Sequence, residues 1–126
     1  MTPIQFATLL FLLLCGHFLA DFTFQTEWIA TNKNRHVRLK FPPEQRAHMQ
    51  VIWPWLLSSH AITHALMVFL VTQKLSLSIA EFVVHWAVDF GKCEKWYGFH
   101  TDQLLHVGSK VLWAALIASG AVAGLP

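Results

Sequence analysis

The sequence predicts an all-α fold, an integral membrane bundle of about four helices that forms one domain over residues 1–126. Three observations lead to this prediction. Apolar residues make up 55% of the chain and charged residues only 13%, whereas an ordinary soluble domain has about 25% charged residues. A chain of 126 residues cannot hide that much apolar surface in a core of its own. The apolar residues also gather in long runs, for which lipid is the simplest solvent.

The apolar runs predict helices over about 4–22, 53–72, 77–91 and 102–124. The first approaches the ~20 residues that span a bilayer. It lacks the basic start of a signal peptide, so we expect it to be retained. In the second, Pro54 suits a first helical turn. The third is short for a span, and we expect it to be shielded by its neighbours or to be re-entrant. The fourth ends in small residues suited to close helix packing: Ala118, Ser119, Gly120, Ala121, Ala123 and Gly124.

The connections between these helices differ in charge. The first ends in a Pro42-Pro43 break and is the most basic, with Lys33, Arg35, Arg38, Lys40 and Arg46. The third has Lys92 and Lys95, and the second has Lys74. The positive-inside rule therefore predicts that both termini lie outside and that the two basic connections lie in the cytoplasm. Within the first connection, we expect Thr26–Asn32 to form an interfacial helix anchored by Trp28.

Ionisable residues recur inside the apolar runs at a spacing of four. Residues four apart lie on one face of a helix, one turn from each other. Every predicted helix presents such a set: His17 and Asp21; His60 and His64; Glu81, His85 and Asp89; Asp102 and His106. One histidine of each helix lies roughly 6 to 10 Å from its cytoplasmic end, at about 1.5 Å per residue. Helices that run in opposite directions thus place these groups in one layer of the cytoplasmic half.

This layer has the composition of a metal site. Neutral imidazole and carboxylate are ligands for zinc, manganese or iron, and intramembrane ionisable groups are usually functional. We therefore predict a divalent metal ion, zinc before manganese or iron, with ligands drawn from His17, Asp21, His60, His64, His85, Asp89 and His106. Glu81 or Asp102 would be the catalytic base or would support a ligand from behind.

The candidates exceed the roughly four to six ligands of one such ion. Either some of them only support the ligands, or two ions lie about 3.5–4 Å apart. The competing interpretation is that these groups hydrogen-bond between helices and hold the bundle together.

Three other features bear on function. Lys92 is expected to snorkel towards the membrane surface, with pairing to Asp89 or anchoring of a phosphate as alternatives. Cys15 and Cys93 form no CxxC pair and are expected to be buried or interfacial thiols without a disulfide. The net charge of +2 is too small to indicate nucleic acid as a partner.

Several of these residues also belong to a known pattern. Residues 16–22 (Gly-His-Phe-Leu-Ala-Asp-Phe), followed by Gln25, Thr26 and Trp28, resemble the opening of a bacterial membrane family known only as domain of unknown function 3307. Later blocks of that family are similar, in the same order, to His60 and His64, to residues 85–92 and to residues 102–106. The resemblance implies a multi-pass protein of the bacterial inner membrane and no established activity.

A looser similarity is to the SOS-regulated, membrane-bound, metal-dependent hydrolases of bacteria. It is carried by His60 with the pair Thr63-His64, and by His85 with Asp89 in a His-x-x-x-Asp spacing. The acidic Pro-Asp-x-Asp-His block of that group is missing from this sequence. The missing block weakens the prediction of the reaction more than the prediction of a bound metal.

The preferred functional hypothesis is hydrolysis, with water activated by the metal as the nucleophile. A site near the headgroup layer suggests a phosphorylated or lipid-like substrate. One alternative is proton or cation transport or sensing, against which the apolar stretches Ile4–Leu14 and Val111–Ala118 argue because they leave no polar path to the other face. Another is a non-enzymatic scaffold subunit. The expected partners are the lipid bilayer and a lipid or a phosphorylated small molecule, and a homo-oligomer is left open.

Overall fold

The computed structural model describes residues 1–122, in which every regular element is a helix and no strand occurs. The all-α prediction is thus confirmed for these residues. The long helices are α1 (Pro3–Phe18), α3 (Pro43–Thr72), α4 (Leu75–Cys93) and α5 (Phe99–Ala118). Shorter elements are a π-helical segment (Leu19–Phe24), α2 (Glu27–Asn32) and a 3₁₀ helix (Arg35–Lys40).

Helix α1 begins as its sequence dictates. The Thr2 hydroxyl accepts from the Gln5 amide, and the Gln5 side chain accepts from the Thr2 amide, which is a capping box. Pro3 takes the first position, where its missing N–H costs nothing. At the other end the chain continues without a break into the π-helical segment, a wider turn that often occurs at functional sites.

Helix α3 differs most from its predicted limits. It begins at Pro43 rather than near 53, so Pro54 lies inside the helix and not in its first turn. The prediction failed because the apolar run marks only the part of the helix that is hydrophobic, whereas the first turns are polar. The predicted break at Pro42-Pro43 is the true start, since Pro42 is the N-cap and Pro43 follows it. The short helix expected at 26–32 is present as α2, which Thr26 caps.

The last two predicted helices also need correction. Helix α4 covers Leu75–Cys93, 19 residues, so it is longer than predicted, and at roughly 28 Å it comes close to the ~30 Å thickness of the hydrocarbon core. Helix α5 begins at Phe99 and ends at Ala118. Ser119, Gly120 and Ala121 therefore follow the helix, and Gly120 turns the chain with a φ of 75°. The predicted end at 123–124 lies outside the described residues.

The long helices pack side by side, α1 against α3 and α5, and α4 against α3 and α5. At one end of the bundle a buried apolar cluster fills the interior, formed by Leu13, Val68, Leu77, Trp113 and Ala114. We call the other end, with the connections 25–42 and 92–98, the basic end. Among residues 1–122, buried polar and charged side chains outnumber buried apolar ones. The interior of the basic end is therefore polar.

Within the described residues, two helices are long and apolar enough to cross a membrane. They are Pro3–Phe24, with a mean hydropathy of 1.8, and Pro43–Thr72, with 1.4. Helices α4 and α5 do not join them by this criterion, and both contribute ionisable residues to the interior.

Candidate metal centre

The nine residues singled out in the sequence meet in the interior of the basic end. Four separate stretches of helix carry them, and eight of the nine are at most 3% exposed, namely His17, His60, His64, Glu81, His85, Asp89, Asp102 and His106. The ninth, Asp21, lies on the π-helical segment and is partly exposed, although its side chain is only 8% accessible. The four-residue spacing sets each pair on one helix face, and the packing turns all four faces inward.

Asp21, His60, His64 and His85 form the first donor group. Each offers one ligand atom, and these four atoms all lie within 4.8 Å of one another. His64 Nε2 is 3.0 Å and His60 Nε2 is 3.2 Å from Asp21 Oδ1. The His64 and His85 rings stack with centroids 3.6 Å apart. Three imidazoles and one carboxylate are a ligand set that suits tetrahedral zinc.

His85, Asp89 and His106 form the second donor group, again within 4.8 Å. His106 Nε2 lies 3.2 Å from Asp89 Oδ1, and His85 Nε2 lies 3.8 Å from Asp89 Oδ2. His60 Nε2 is also 3.5 Å from Asp89 Oδ2. The two groups share His85 and are therefore contiguous.

Unpaired nitrogens show that the residues fit a metal ion. Among the described residues, both ring nitrogens of His85 are buried without a hydrogen-bond partner, and His60 Nε2 lies close to two carboxylates without hydrogen-bond geometry. Such groups cost about 1–3 kcal/mol each when nothing compensates them. An ion bound by neutral imidazole would use the lone pair of His60 Nε2 and that of one His85 nitrogen, whose other ring nitrogen carries the proton.

His17 lies beside the donor groups and belongs to neither of those found within residues 1–122. Its Nε2 is 3.2 Å from Gln103 Oε1 and 3.6 Å from Asp21 Oδ2. Gln103 in turn donates from Nε2 to Asp21 Oδ2 at 2.9 Å. His17 and Gln103 thus orient the Asp21 carboxylate, and a ligand role for His17 stays a prediction.

Glu81 is engaged on both oxygens. Lys110 Nζ donates to Oε1 at 2.6 Å and Trp113 Nε1 donates to Oε2 at 2.6 Å. His85 Nδ1 lies 3.5 Å from Oε1. This carboxylate is placed to support His85 from behind, one of the two roles predicted for it.

Asp102 lies nearer the basic end. Lys92 Nζ donates to its Oδ2 at 2.8 Å, and His106 Nε2 lies 3.4 Å from its Oδ1. Lys92 is therefore paired with Asp102 and not with Asp89, the partner that the sequence offered as an alternative to snorkelling. Asp89 is paired instead with Lys33, which is 6% exposed.

Three interior residues were missed by the sequence reasoning. Lys110 could have been identified from the sequence, because a lysine inside an apolar run needs a buried partner. Lys33 could not, since it is one of several basic residues in a polar connection. Gln103 is uncharged and adjacent to Asp102, so only its position across from Asp21 shows its role.

The surface of the basic end is held by a second ion pair. Arg35 donates from Nε and Nη2 to the two oxygens of Glu94, at 2.7 and 2.8 Å. These bonds, with one from His36, lower the pKa of Glu94. Cys15 and Cys93 are both free, as expected.

These observations define a helical protein whose buried polar core is a His/carboxylate cluster with two donor groups. The chain belongs to the family described as "Protein of unknown function (DUF3307)", which matches residues 9–122. The resemblance to this family found in the sequence is thereby confirmed, whereas the looser similarity to metal-dependent hydrolases stays a prediction. No curated protein and no solved structure matches the chain.

Proposed function

We propose that this chain is a multi-pass bacterial membrane protein that holds a divalent metal ion, zinc, in the His/Asp cluster. The observation that carries the proposal is the pair of contiguous donor groups that share His85. The cluster is nitrogen-rich, which favours zinc or iron over manganese. The first group would complete one tetrahedral zinc site. Asp89 and His106 would then support that site or bind a second ion.

The distribution of side chains supports a membrane location with four spans. Large apolar residues are exposed along each of the long helices, for example Phe11, Leu70, Val83 and Leu112. The same helices turn their ionisable residues inward. An apolar exterior around a polar interior is what lipid as a solvent requires. This applies to α4 and α5 although their composition alone does not mark them as spans.

Hydrolysis is the reaction that this site would best serve, because a bound zinc ion supplies Lewis-acid chemistry and activates water. Asp102 is the better candidate for the base, since it lies beside Lys92 towards the basic end. Glu81 lies deeper, with both oxygens engaged, and would position His85. The substrate would be a phosphorylated or lipid-like molecule that reaches the cluster from the basic end.

The contacts beyond Glu81 argue for an interior site over a transport path. The polar chain runs from Asp89 through His85 and Glu81 to Lys110. It then meets the apolar cluster, of which Trp113 is a member. A proton or cation would need a polar lining past this point. Zinc or proton flux into liposomes would make transport the better proposal, and a scaffold subunit would contain no metal.

The test is elemental analysis of the detergent-purified chain after incubation with zinc and removal of the excess. We expect about one or two zinc ions per chain, and at least a tenfold loss in a His64→Ala, Asp89→Ala variant. A Glu44→Ala, His48→Ala variant is the matched control, because both residues are exposed on α3. It should keep its zinc. Wild-type protein that is monodisperse but metal-free would refute the proposal.

A further inference from the structure

A pocket of about 370 Å³ opens at the basic end of the bundle. Its polar lining residues are Gln25, Thr31, Lys33, Asn34, Lys92 and Lys95, and no acidic residue lines it among the described residues. We call it the basic pocket. Its volume is at the lower end of the range of about 300–1,000 Å³ for small-molecule sites. It suits a small anion or a single headgroup.

The lysines of the basic pocket keep donors free for a ligand. A lysine ammonium has three N–H donors. Within residues 1–122, Lys33 uses one on Asp89 and Lys92 uses one on Asp102. Lys95 is exposed at the rim. Two of the three ammonium groups are therefore held in place by carboxylates, and each has two N–H donors that these bonds do not use.

The same two ion pairs join the basic pocket to the metal cluster. Asp89, the partner of Lys33, belongs to the second donor group. Asp102, the partner of Lys92, lies 3.4 Å from His106, which belongs to the same group. One layer of lysine side chains thus separates a ligand in the pocket from the residues that would hold the metal.

We infer that the basic pocket binds the phosphoryl group of a phosphate-containing ligand. Three lysines line this small pocket, two of them paired with a carboxylate, and their unused N–H donors suit a compact anion with several acceptor oxygens. Binding of the phosphoryl group does not depend on the proposed function. Only the further step, that the bound ligand is the substrate of the metal cluster, rests on it. A soluble phosphate ester and a phospholipid with a phosphomonoester headgroup share this chemistry.

Two arms of one experiment test the pocket and separate these sources. In the first, binding of radiolabelled inorganic phosphate to the full chain is measured by equilibrium dialysis in an uncharged detergent. In the second, the chain in phosphatidylcholine nanodiscs is compared with the chain in nanodiscs that also contain phosphatidic acid, and retention of that lipid is measured by native mass spectrometry. Saturable binding in the first arm indicates a soluble ligand, and selective retention in the second indicates a lipid.

Charge variants assign the binding to the pocket. Lys92→Gln keeps an amide donor for Asp102 and removes the charge, and we expect about tenfold weaker binding. Lys95→Asn should weaken binding about three- to fivefold, and asparagine tolerates the left-handed backbone of Lys95, whose φ is 63°. Lys40→Asn is the matched control, because Lys40 is exposed at the basic end outside the pocket lining.

Each result has a definite meaning. No phosphate or phosphatidic acid binding, or equal losses in Lys95→Asn and Lys40→Asn, would overturn the inference. Repeating the dialysis after chelation separates it from the proposed function. A chain that holds no zinc but binds phosphate through Lys92 and Lys95 would refute the metal site and leave the pocket intact.

Discussion

At the scale of single residues, the most demanding feature is the buried pair of Lys110 and Glu81. Lys110 is 1% exposed and Glu81 is fully buried. Neither charge has water, so each depends on the other and on Trp113, which donates to Glu81. A buried ion pair adds little net stability, but removal of one partner leaves an uncompensated charge. The pair should therefore matter to the stability of the fold as well as to the position of His85, whose Nδ1 lies 3.5 Å from Glu81 Oε1.

We expect Lys110→Met to lower the free energy of unfolding by about 3–5 kcal/mol, the usual cost of an orphaned buried charge. A Lys110→Met, Glu81→Gln double variant should recover much of this loss, because the glutamine is neutral and still accepts from Trp113. Denaturant unfolding in detergent, followed by circular dichroism, measures both. Lys40→Met, a change at an exposed lysine, is the control. Equal stability of Lys110→Met and Lys40→Met would contradict the assignment.

At the scale of elements, the connection between α1 and α3 is more than a loop. It contains α2 and the 3₁₀ helix, and it is tied to α4 by Lys33 on Asp89 and Arg35 on Glu94. The two ties differ in depth, since Lys33 is buried whereas the side chain of Arg35 is 42% exposed. The outer tie lies outside the helical spans and is open to solvent pH.

This outer tie predicts an acid-sensitive connection. Hydrogen bonds from Arg35 and His36 lower the pKa of Glu94 in the folded chain, so the tie stabilises the fold above the ordinary glutamate pKa of about 4.3. That stability is lost as the pH falls through the lowered folded value. The protection of residues 27–40 against hydrogen exchange, expressed as the intrinsic rate divided by the observed rate, should fall there.

Glu94→Gln supplies the comparison. It removes the titrating group, so exchange in this variant should already be fast at neutral pH, and the acid-dependent difference from wild type should vanish. A wild-type profile that coincides with the Glu94→Gln profile at every pH would show that the Arg35–Glu94 tie contributes nothing to this connection.

At the scale of the whole molecule, the described residues have an apolar surface around the long helices and a partly polar interior. Exposed large apolar side chains surround the long helices, and ionisable residues fill one half of the interior. The basic residues gather at the same end as the cluster, in the connections 25–42 and 92–98. The positive-inside rule predicts that this end faces the cytoplasm and that both termini lie outside, and this prediction has a direct test.

Orientation can be measured with a membrane-impermeant maleimide in intact spheroplasts. Thr2→Cys, at the exposed start of α1, should be labelled at once, whereas Leu39→Cys, exposed in the basic connection, should be labelled only after the membrane is opened. The parent chain with Cys15 and Cys93 gives the background, since the first is half-buried and the second buried. Labelling in the opposite order would invert the topology.

Features that depend only on neighbouring residues along the chain could be predicted from the sequence. The class of element followed from the apolar runs, and the one-turn spacing of His60 with His64, or His85 with Asp89, set each pair on one helix face, because helix geometry fixes that relation without any neighbour. Helix limits were less accurate where the apolar signal stops before the helix does. The start of α3 at Pro43 rather than near 53 is the clearest case.

The partner of each buried charge could be identified only from the packing of the helices. Lys33 pairs with Asp89, Lys92 with Asp102 and Lys110 with Glu81. Each pairing joins two elements, so it depends on the rotation and axial position of one helix against another, which local spacing does not encode. The division of the cluster into two donor groups, and the basic pocket beside it, follow from the same packing. Candidate metal ligands could be identified from the sequence, but the residues that pair with them could be identified only from the fold.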